Sequence, residues 1–262
     1  DTGSFEYYLL DTHPDAWNNQ NVIKSLFIEG DGIWCGTQKG TLYRFDLRTK
    51  KFSLRHSFHK EISIYTIDRC KDGALWLGTT DDIGITRLLP DGKAAPAEPL
   101  FKQMPSVRSF LEVEEGVYLI GTHGEGLMHY DSRSRQLTKY NTRQEGARKL
   151  LNDQVTSLVK DKAGRIWVGT FGGGFCRWEA DKGIVEYWTT AEGLSNDDIQ
   201  TILPAQDGTL WLSTGNGISA FDPDTRRFEN YTGKNEIPVN EFSLKGGIQL
   251  PDRLIFFSGN NG

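Results

Sequence analysis

Three consecutive glycines, Gly172–Gly174, are the residues whose type and spacing most directly suggest chemistry. A glycine-rich loop can hold a phosphate when its N–H groups, and those of a following helix, point at the anion. The flanking segments here are RIWVGT (165–170) and FCRWE (175–179), which are apolar, rich in β-forming residues and without a helical period. The pattern therefore predicts a turn between two strands rather than a phosphate site.

Other residues that could perform catalysis or bind metal are scattered along the sequence. The five histidines form no His-x-x-x-His or Ser-His-Asp grouping: His13, His56, His59, His123 and His129. Paired acidic residues at 81–82 and 197–198 fall in predicted turns, where solvated caps are expected. Cys35, Cys70 and Cys176 lack CxxC spacing and are predicted to be buried as small apolar residues. We predict no catalytic residue, no metal site and no cofactor.

The composition limits the classes of partner. The 262 residues contain 30 Lys+Arg and 35 Asp+Glu, a formal net charge of −5, and no basic stripe, which argues against a nucleic-acid partner. No apolar run approaches the roughly 18 residues of a membrane helix, so no membrane contact by this segment is expected. The 11% aromatic residues and 29 glycines suit many short strands joined by tight turns.

The elements that must position any site come from an internal repeat. Segments related to 165–179 occur at 32–46 (GIWCGTQKGTLYRFD), 74–88, 117–131 and 209–222, with a degraded copy at 253–262. The central positions lie 42, 43, 48, 44 and 45 residues apart and are predicted to form the blade core: Trp34, Trp76, Leu119, Trp167, Trp211 and Phe256. A period of about 40–45 residues is typical of a four-stranded propeller blade.

Each copy alternates strand and turn, which predicts an all-β fold, a β-propeller of four-stranded antiparallel blades. We expect one domain over 1–262, with five complete blades at 21–58, 62–103, 106–140, 153–189 and 197–232, and a partial last blade at 240–262. Residues 1–10 match the outer strand of an upstream blade, which favours seven blades in the parent ring. Alternatively, this strand closes a smaller ring by pairing with the last blade.

A ligand site is predicted where two families of turns share one face. One family leads into each innermost strand and the other joins the second and third strands of each blade. The candidate ligand contacts are Trp17, Arg108, His123, Glu125, Phe171 and Asn240. The alternatives are that Asn152, Asn196 and Asn240 only cap the backbone, and that Trp17 packs under its own loop. The insertion at 141–152 is expected to be a solvated loop, or else a contact with a second ring or subunit.

The repeated unit resembles the two-component regulator propeller repeat, most clearly in LLNDQVTSLVKDKAGRIWVGTFGGGFCRWE (150–179). NYTGKNEIPVNEFS (230–243), followed by FFSGNNG, is similar to the last blade of that family's sensor region. Three copies depart from the pattern, at Leu119, at TDDIGI (80–85) and at Ser213.

The resemblance implies the periplasmic sensor region of a Bacteroides-type hybrid two-component system, in an inner-membrane histidine kinase. It implies an oligosaccharide ligand, control of polysaccharide-utilisation genes, a second propeller ring and an immunoglobulin-like module in the parent chain, and a homodimer. The propeller itself is then not an enzyme. Two other functions stay open: a protein-interaction scaffold without a small ligand, and a propeller-fold polysaccharide lyase or hydrolase.

Overall fold

A computed structural model describes most of the chain. The described residues are 6, 8–10, 22–58, 62–80, 83–96, 100–101, 104–233, 242–250 and 254–259. Two of the candidate ligand contacts, Trp17 and Asn240, lie outside this set. The chain forms two compact units, Asp1–Val107 and Arg108–Gly262, which are taken in turn.

The first unit holds two antiparallel sheets. Sheet A has four strands in sequence order: β1 (Ile23–Glu29), β2 (Gly32–Thr37), β3 (Thr41–Asp46) and β4 (Lys51–Ser57). Sheet B has three: β5 (Ile64–Arg69), β6 (Leu75–Thr79) and β7 (Ile85–Leu88).

The fourth strand expected in the blade at 62–103 is reduced, among the described residues, to one bridge between Leu88 and Ala94. The residues after this bridge explain the difference, because Ala95 and Pro96 are poor strand formers and proline cannot donate a ladder hydrogen bond. Four sheets, rather than five, therefore have four strands in the part of the chain that the structure describes.

The second unit holds the other sheets. Sheet C contains β8 (Val107–Glu114), β9 (Val117–Thr122), β10 (Leu127–Asp131) and β11 (Gln136–Tyr140). Sheet D contains β12 (Val155–Lys160), β13 (Ile166–Thr170), β14 (Phe175–Glu179) and β15 (Gly183–Trp188). Sheet E contains β16 (Ile199–Pro204), β17 (Leu210–Thr214), β18 (Gly217–Asp222) and β19 (Arg227–Tyr231). Sheet F pairs β20 (Phe242–Gln249) with β21 (Ile255–Gly259).

In the part of the chain that the structure describes, helical structure is limited to short 3-10 segments, of which Gly146–Arg148 and Thr190–Glu192 are described over their full length. None of the helical segments in the described residues has the length and apolar character required to cross a bilayer.

Within each unit, neighbouring sheets pack through the aromatic residue of the second strand. Trp167 of sheet D is 1% exposed and its ring lies 5.9 Å from that of Phe221, on the third strand of sheet E. Trp76 and Leu119 are also buried, whereas Trp34 and Trp211 are half-buried. Phe256 departs from the predicted core position because its side chain is 52% exposed. The equivalent Trp167 is covered by the sheet that follows it, and no described residue follows sheet F in this way.

Two of these tryptophans each donate an indole hydrogen bond to a carboxylate. The Asp161 side chain is only 2% exposed and accepts hydrogen bonds from Trp167 Nε1 (2.9 Å) and Arg165 Nε (2.6 Å). Glu29 accepts the equivalent bond from Trp34 Nε1 (2.9 Å) and pairs with Arg69. In sheet E, Ala205 stands at the position of Asp161, so this anchor is absent from Trp211.

The insertion at 141–152 is a largely exposed loop that contacts the outermost strand of sheet D. A parallel bridge joins Asn141 to Lys149, and the Tyr187 hydroxyl on β15 donates to the Lys149 carbonyl. A Cβ atom at Gly183, the first residue of β15, would lie 2.5 Å from the Ala147 carbonyl oxygen. Most residues of the insertion are exposed to solvent, as expected of a solvated loop, and these contacts hold it beside β15.

Candidate functional site

The three glycines form the turn between β13 and β14, as the sequence predicts. Gly172 and Gly174 have φ values of +89° and +64°, which side chains disfavour. A Cβ on Gly174 would lie 2.1 Å from the Trp188 carbonyl oxygen on the outermost strand, so only glycine fits there. The glycines thus allow the tight turn between two strands. Strand β14 follows them, whereas a phosphate loop would need a helix at this point.

Two families of turns lie together in the second unit. The Asp197 carbonyl, before β16, accepts hydrogen bonds from Gly172 N (3.1 Å) and Gly174 N (2.9 Å). The Asp153 carbonyl, before β12, accepts from Gly124 N and Gly126 N, both at 3.0 Å. Each lead-in loop is therefore bonded to the turn of the preceding sheet. We call residues 123–126, 152–154, 171–174 and 196–198 the turn face.

Asparagines of the turn face act as backbone caps. Asn152 Oδ1 accepts from Gln154 N (2.9 Å), and Asn196 Oδ1 accepts from Asp198 N (2.8 Å). Capping, the alternative to a ligand role, therefore describes both residues in this structure. The next acidic residue of each loop accepts hydrogen bonds from a threonine: Asp153 from Thr142, and Asp197, which was expected to be a cap, from Thr190. The repeated Asn-Asp pair in LLNDQ and LSNDD was the signal for this arrangement.

His123 and Phe171 are the predicted contacts that the fold exposes on the turn face. His123 is exposed and Phe171 is 39% exposed. An isolated bridge joins His123 to Gln154, and another joins Phe171 to Asp198. Gln154 and Asp198 occupy the same position in their loops, directly after the Asn-Asp pair, and are half-buried. This part of the face therefore carries one exposed aromatic ring, Phe171, together with the polar residues His123, Gln154 and Asp198.

Glu125 is on the same face but is already engaged. Its Oε2 lies 3.0 Å from Arg143 Nη2 and 3.4 Å from Lys139 Nζ. The hydrogen bond from Arg143 holds the pKa of Glu125 below its ordinary value, so the group is a carboxylate near neutral pH. A ligand that contacts Glu125 would have to compete with these two cations.

Arg108 lies on a strand rather than in a turn. It is half-buried within β8, the first strand of sheet C, and belongs to neither turn family. Among the described residues, no group of three or more His, Cys, Asp or Glu side chains could hold a metal ion. The three cysteines are buried and form no disulfide, and burial raises the pKa of Cys35 to about 11, so its thiolate is scarce at neutral pH.

Two stretches of the chain match a known protein family. Residues 149–172 and 193–216, which carry the Asn-Asp loops of sheets D and E, match the family model described as two component regulator propeller. These two stretches are similar to regulator propeller repeats. The resemblance predicted from the sequence is confirmed at these two copies.

Three relatives extend the comparison beyond the two repeats. Histidine kinase P4 of Formosa agariphila is 23% identical over 92% of this chain. The extracellular domain of BT3049, named as a hybrid two-component system of B. thetaiotaomicron, is 23% identical over 91% of the chain, with a TM-score of 0.64. A virginiamycin B lyase of Staphylococcus aureus is 14% identical over 92% of the chain, with a TM-score of 0.67.

These similarities, with the four-stranded antiparallel sheets, confirm the all-β propeller fold. At these identities the two solved structures show the fold alone. The chain spans 22% of the kinase, 38% of the BT3049 chain and 79% of the lyase.

Proposed function

We propose that this chain is the extracytoplasmic ligand-sensing propeller of a two-component signalling protein. The match of two repeats to the regulator propeller model carries the proposal, and the histidine kinase relative supports it. The propeller contributes no catalysis of its own, and the parent chain supplies the kinase. The placement is periplasmic, which agrees with the extracellular domain named for the BT3049 relative.

The ligand we propose is a glycan-derived oligosaccharide on the turn face. Phe171 offers an exposed ring on which a sugar can stack, and Gln154, Asp198 and His123 offer hydrogen-bonding groups beside it. Ligand sites combine such apolar surfaces with a few convergent polar groups. Glu125, Arg108, Trp17 and Asn240 remain proposed contacts, of which the last two lie outside the described residues.

Calorimetric titration of the propeller with a panel of plant and host oligosaccharides tests this proposal. We expect one oligosaccharide to bind, and Phe171→Ala to weaken that binding by up to about ten-fold, since ring stacking contributes about 0.5–1.5 kcal/mol. Phe256→Ala is the matched control because this phenylalanine is also exposed but lies in β21, away from the turn face. No heat with any glycan would favour the protein-interaction scaffold, and new reducing or unsaturated ends would favour a lyase or hydrolase.

For signalling, we propose that binding changes how this propeller meets its neighbours in the parent. Those neighbours are a second ring, an immunoglobulin-like module and the other subunit of a homodimer, and the output is transcription of polysaccharide-utilisation genes. A ligand shifts such an equilibrium only by its different affinity for the two arrangements. A sugar that binds but leaves kinase autophosphorylation of the full-length protein unchanged would contradict this step.

A further inference from the structure

Three polar side chains at the turn face have no partner within the described chain. Gln154, Asp198 and Gln200 make no side-chain hydrogen bond or ion pair with any residue that the structure describes. Gln200, the second residue of β16, is nevertheless only 9% exposed. Buried amides in native proteins are nearly always hydrogen-bonded, so Gln200 indicates a partner that the chain itself does not supply.

A β-bulge gives Gln200 its unusual position. Strand β16 advances two residues, from Ile199 to Thr201, where β17 advances only one, so Gln200 is the extra residue of the ladder. The peptide before it is fixed, because the Thr156 hydroxyl on β12 donates to the Ile199 carbonyl at 2.7 Å. Bulges re-aim side chains and are common beside functional sites.

Asp198 and Gln200 leave the chain on the same side. The residue between them, Ile199, faces sheet D, where a Cβ atom at Gly169 would lie 2.7 Å from Ile199 Cγ2. Successive side chains of an extended segment point to opposite sides, so both polar neighbours of Ile199 point away from the core of sheet D.

The Asp198 carboxylate lies between two glycine turns and beside an aromatic ring. A Cβ atom would lie 3.6 Å from its Oδ1 at Gly172 and 3.2 Å from its Oδ2 at Gly215. Asp198 is also bridged to Phe171, and residues opposite each other in an antiparallel pair have neighbouring side chains. An exposed ring and an unpaired carboxylate therefore lie side by side.

The charge around the Phe171 ring is negative. The turn-face residues of sheets D and E include no Lys or Arg but three carboxylates: Asp153, Asp197 and Asp198. Lys139 and Arg143 pair with Glu125 in the part of the face that belongs to sheet C, and Arg108 also lies in sheet C. A sugar acid stacked on Phe171 would therefore meet like charges, whereas a neutral sugar would offer hydroxyl donors.

We propose that the oligosaccharide bound here is neutral, and that Asp198 and Gln200 select it. The Asp198 carboxylate accepts hydrogen bonds from sugar hydroxyls, the Gln200 amide donates and accepts them, and one sugar ring stacks on Phe171. This inference rests on the proposed function, since it names the class of sugar for the same site.

Calorimetric titration with neutral oligosaccharides and their acids tests the selection. Each neutral member of the panel, cellotetraose and β-1,4-mannotetraose among them, is compared with the form whose primary hydroxyls are oxidised to carboxylates. We expect a neutral sugar to bind and its acid to bind at least about ten-fold more weakly. An acid that binds as tightly as its neutral form would overturn the selection but leave sensing intact. No binding by any sugar would overturn sensing itself.

A charge-removing variant tests whether Asp198 causes the selection. Asp198→Asn should remove most of the difference in affinity between a neutral sugar and its acid. Asp181→Asn is the matched control, because Asp181 is an exposed carboxylate in the turn between β14 and β15 and its loss changes the net charge equally. Selection that survives Asp198→Asn, or that Asp181→Asn reduces as much, contradicts the proposal.

A second variant tests the Gln200 amide. Gln200→Met keeps the side-chain length and should weaken binding of the neutral sugar by up to about ten-fold. The melting temperature should not fall, because the amide has no partner in the described chain. Gln136→Met, at an exposed position of β11, is the control. Equal affinity of the Gln200→Met and Gln136→Met proteins would show that Gln200 does not contact the sugar.

Discussion

The hydrogen bonds of the Asp161 carboxylate to Trp167 and Arg165 can be tested sharply, because sheet E lacks both the carboxylate and the arginine at the equivalent positions. Burial opposes ionisation of Asp161, but hydrogen bonds from Trp167 and Arg165 outweigh it and hold its pKa below the ordinary value. Asp161→Ala leaves the Trp167 indole N–H and the Arg165 guanidinium without this acceptor. Breaking a buried pair costs about 3–5 kcal/mol. The lower end, about 3 kcal/mol, is expected because Arg165 keeps its 2.7 Å contact with Asp224.

The double variant Asp161→Ala/Arg165→Thr reproduces the residues that sheet E uses, Ala205 and Thr209. Arg165→Thr alone should cost about 2 kcal/mol, less than the range for a buried pair, because Asp161 keeps its hydrogen bonds from Trp167 Nε1 and from the backbone N–H of residue 165. The double variant should cost about 3 kcal/mol rather than the roughly 5 kcal/mol sum, so the coupling energy is about 2 kcal/mol. Urea unfolding followed by tryptophan fluorescence measures all four free energies.

The exposed pair Arg226–Glu186, with nitrogen and oxygen 3.0 Å apart, is the control cycle. Its coupling should stay below about 1 kcal/mol, as for surface pairs generally. Single-variant losses at Asp161 and Arg165 that add within about 0.5 kcal/mol would refute the reasoning, because the two side chains would then act independently.

Four further outcomes are expected. Hydrogen bonding by Arg69 lowers the pKa of Glu29 to about 2, so the stabilisation from this carboxylate is present above pH 4.5 and is lost as the pH falls towards 2. With screening this amounts to about 1–2 kcal/mol, and the melting temperatures of wild type and Glu29→Gln should differ at pH 5 and converge only near pH 2. Burial lowers the pKa of His129, which packs 5.1 Å from Trp178, so stability falls as the pH drops below about 6.5 and His129→Phe should flatten this dependence in thermal melts. Gly174→Ala should cost more than about 2 kcal/mol in urea unfolding, but Gly172→Ala only about 1, because the latter meets just the flexible Asn152 side chain at 3.2 Å. Tyr187→Phe should speed hydrogen exchange in 141–152, and unchanged exchange would contradict the contact with Lys149.

The parts of the fold that could be predicted from the sequence are those that repeat. The second-strand aromatic recurs at a nearly constant interval, so the sheet order and the buried position of Trp167 follow from the period. The turn face was predictable for the same reason, since the lead-in loops and glycine turns recur in register.

The rest depends on residues that do not repeat. Phe256 shares its position with Trp167, but its burial depends on a following sheet, which a pattern within one repeat cannot supply. Glu125 meets Arg143 from 18 positions away, through an insertion that only this copy has. Likewise, the ion pair between Asp161 and Arg165 could not be predicted from the sequence, because it depends on the direction in which each side chain leaves the turn.

The loop over β15 also limits how this protein can associate with others. An uncovered outermost strand presents unpaired backbone groups to any extended chain, and proteins commonly hide or charge such edges. In sheet D the insertion reaches β15 through the Tyr187 hydroxyl and through packing at Gly183, and no backbone hydrogen bond joins the two among the described residues. The β15 edge can therefore still pair with an extended chain, provided that this chain tolerates the insertion beside it.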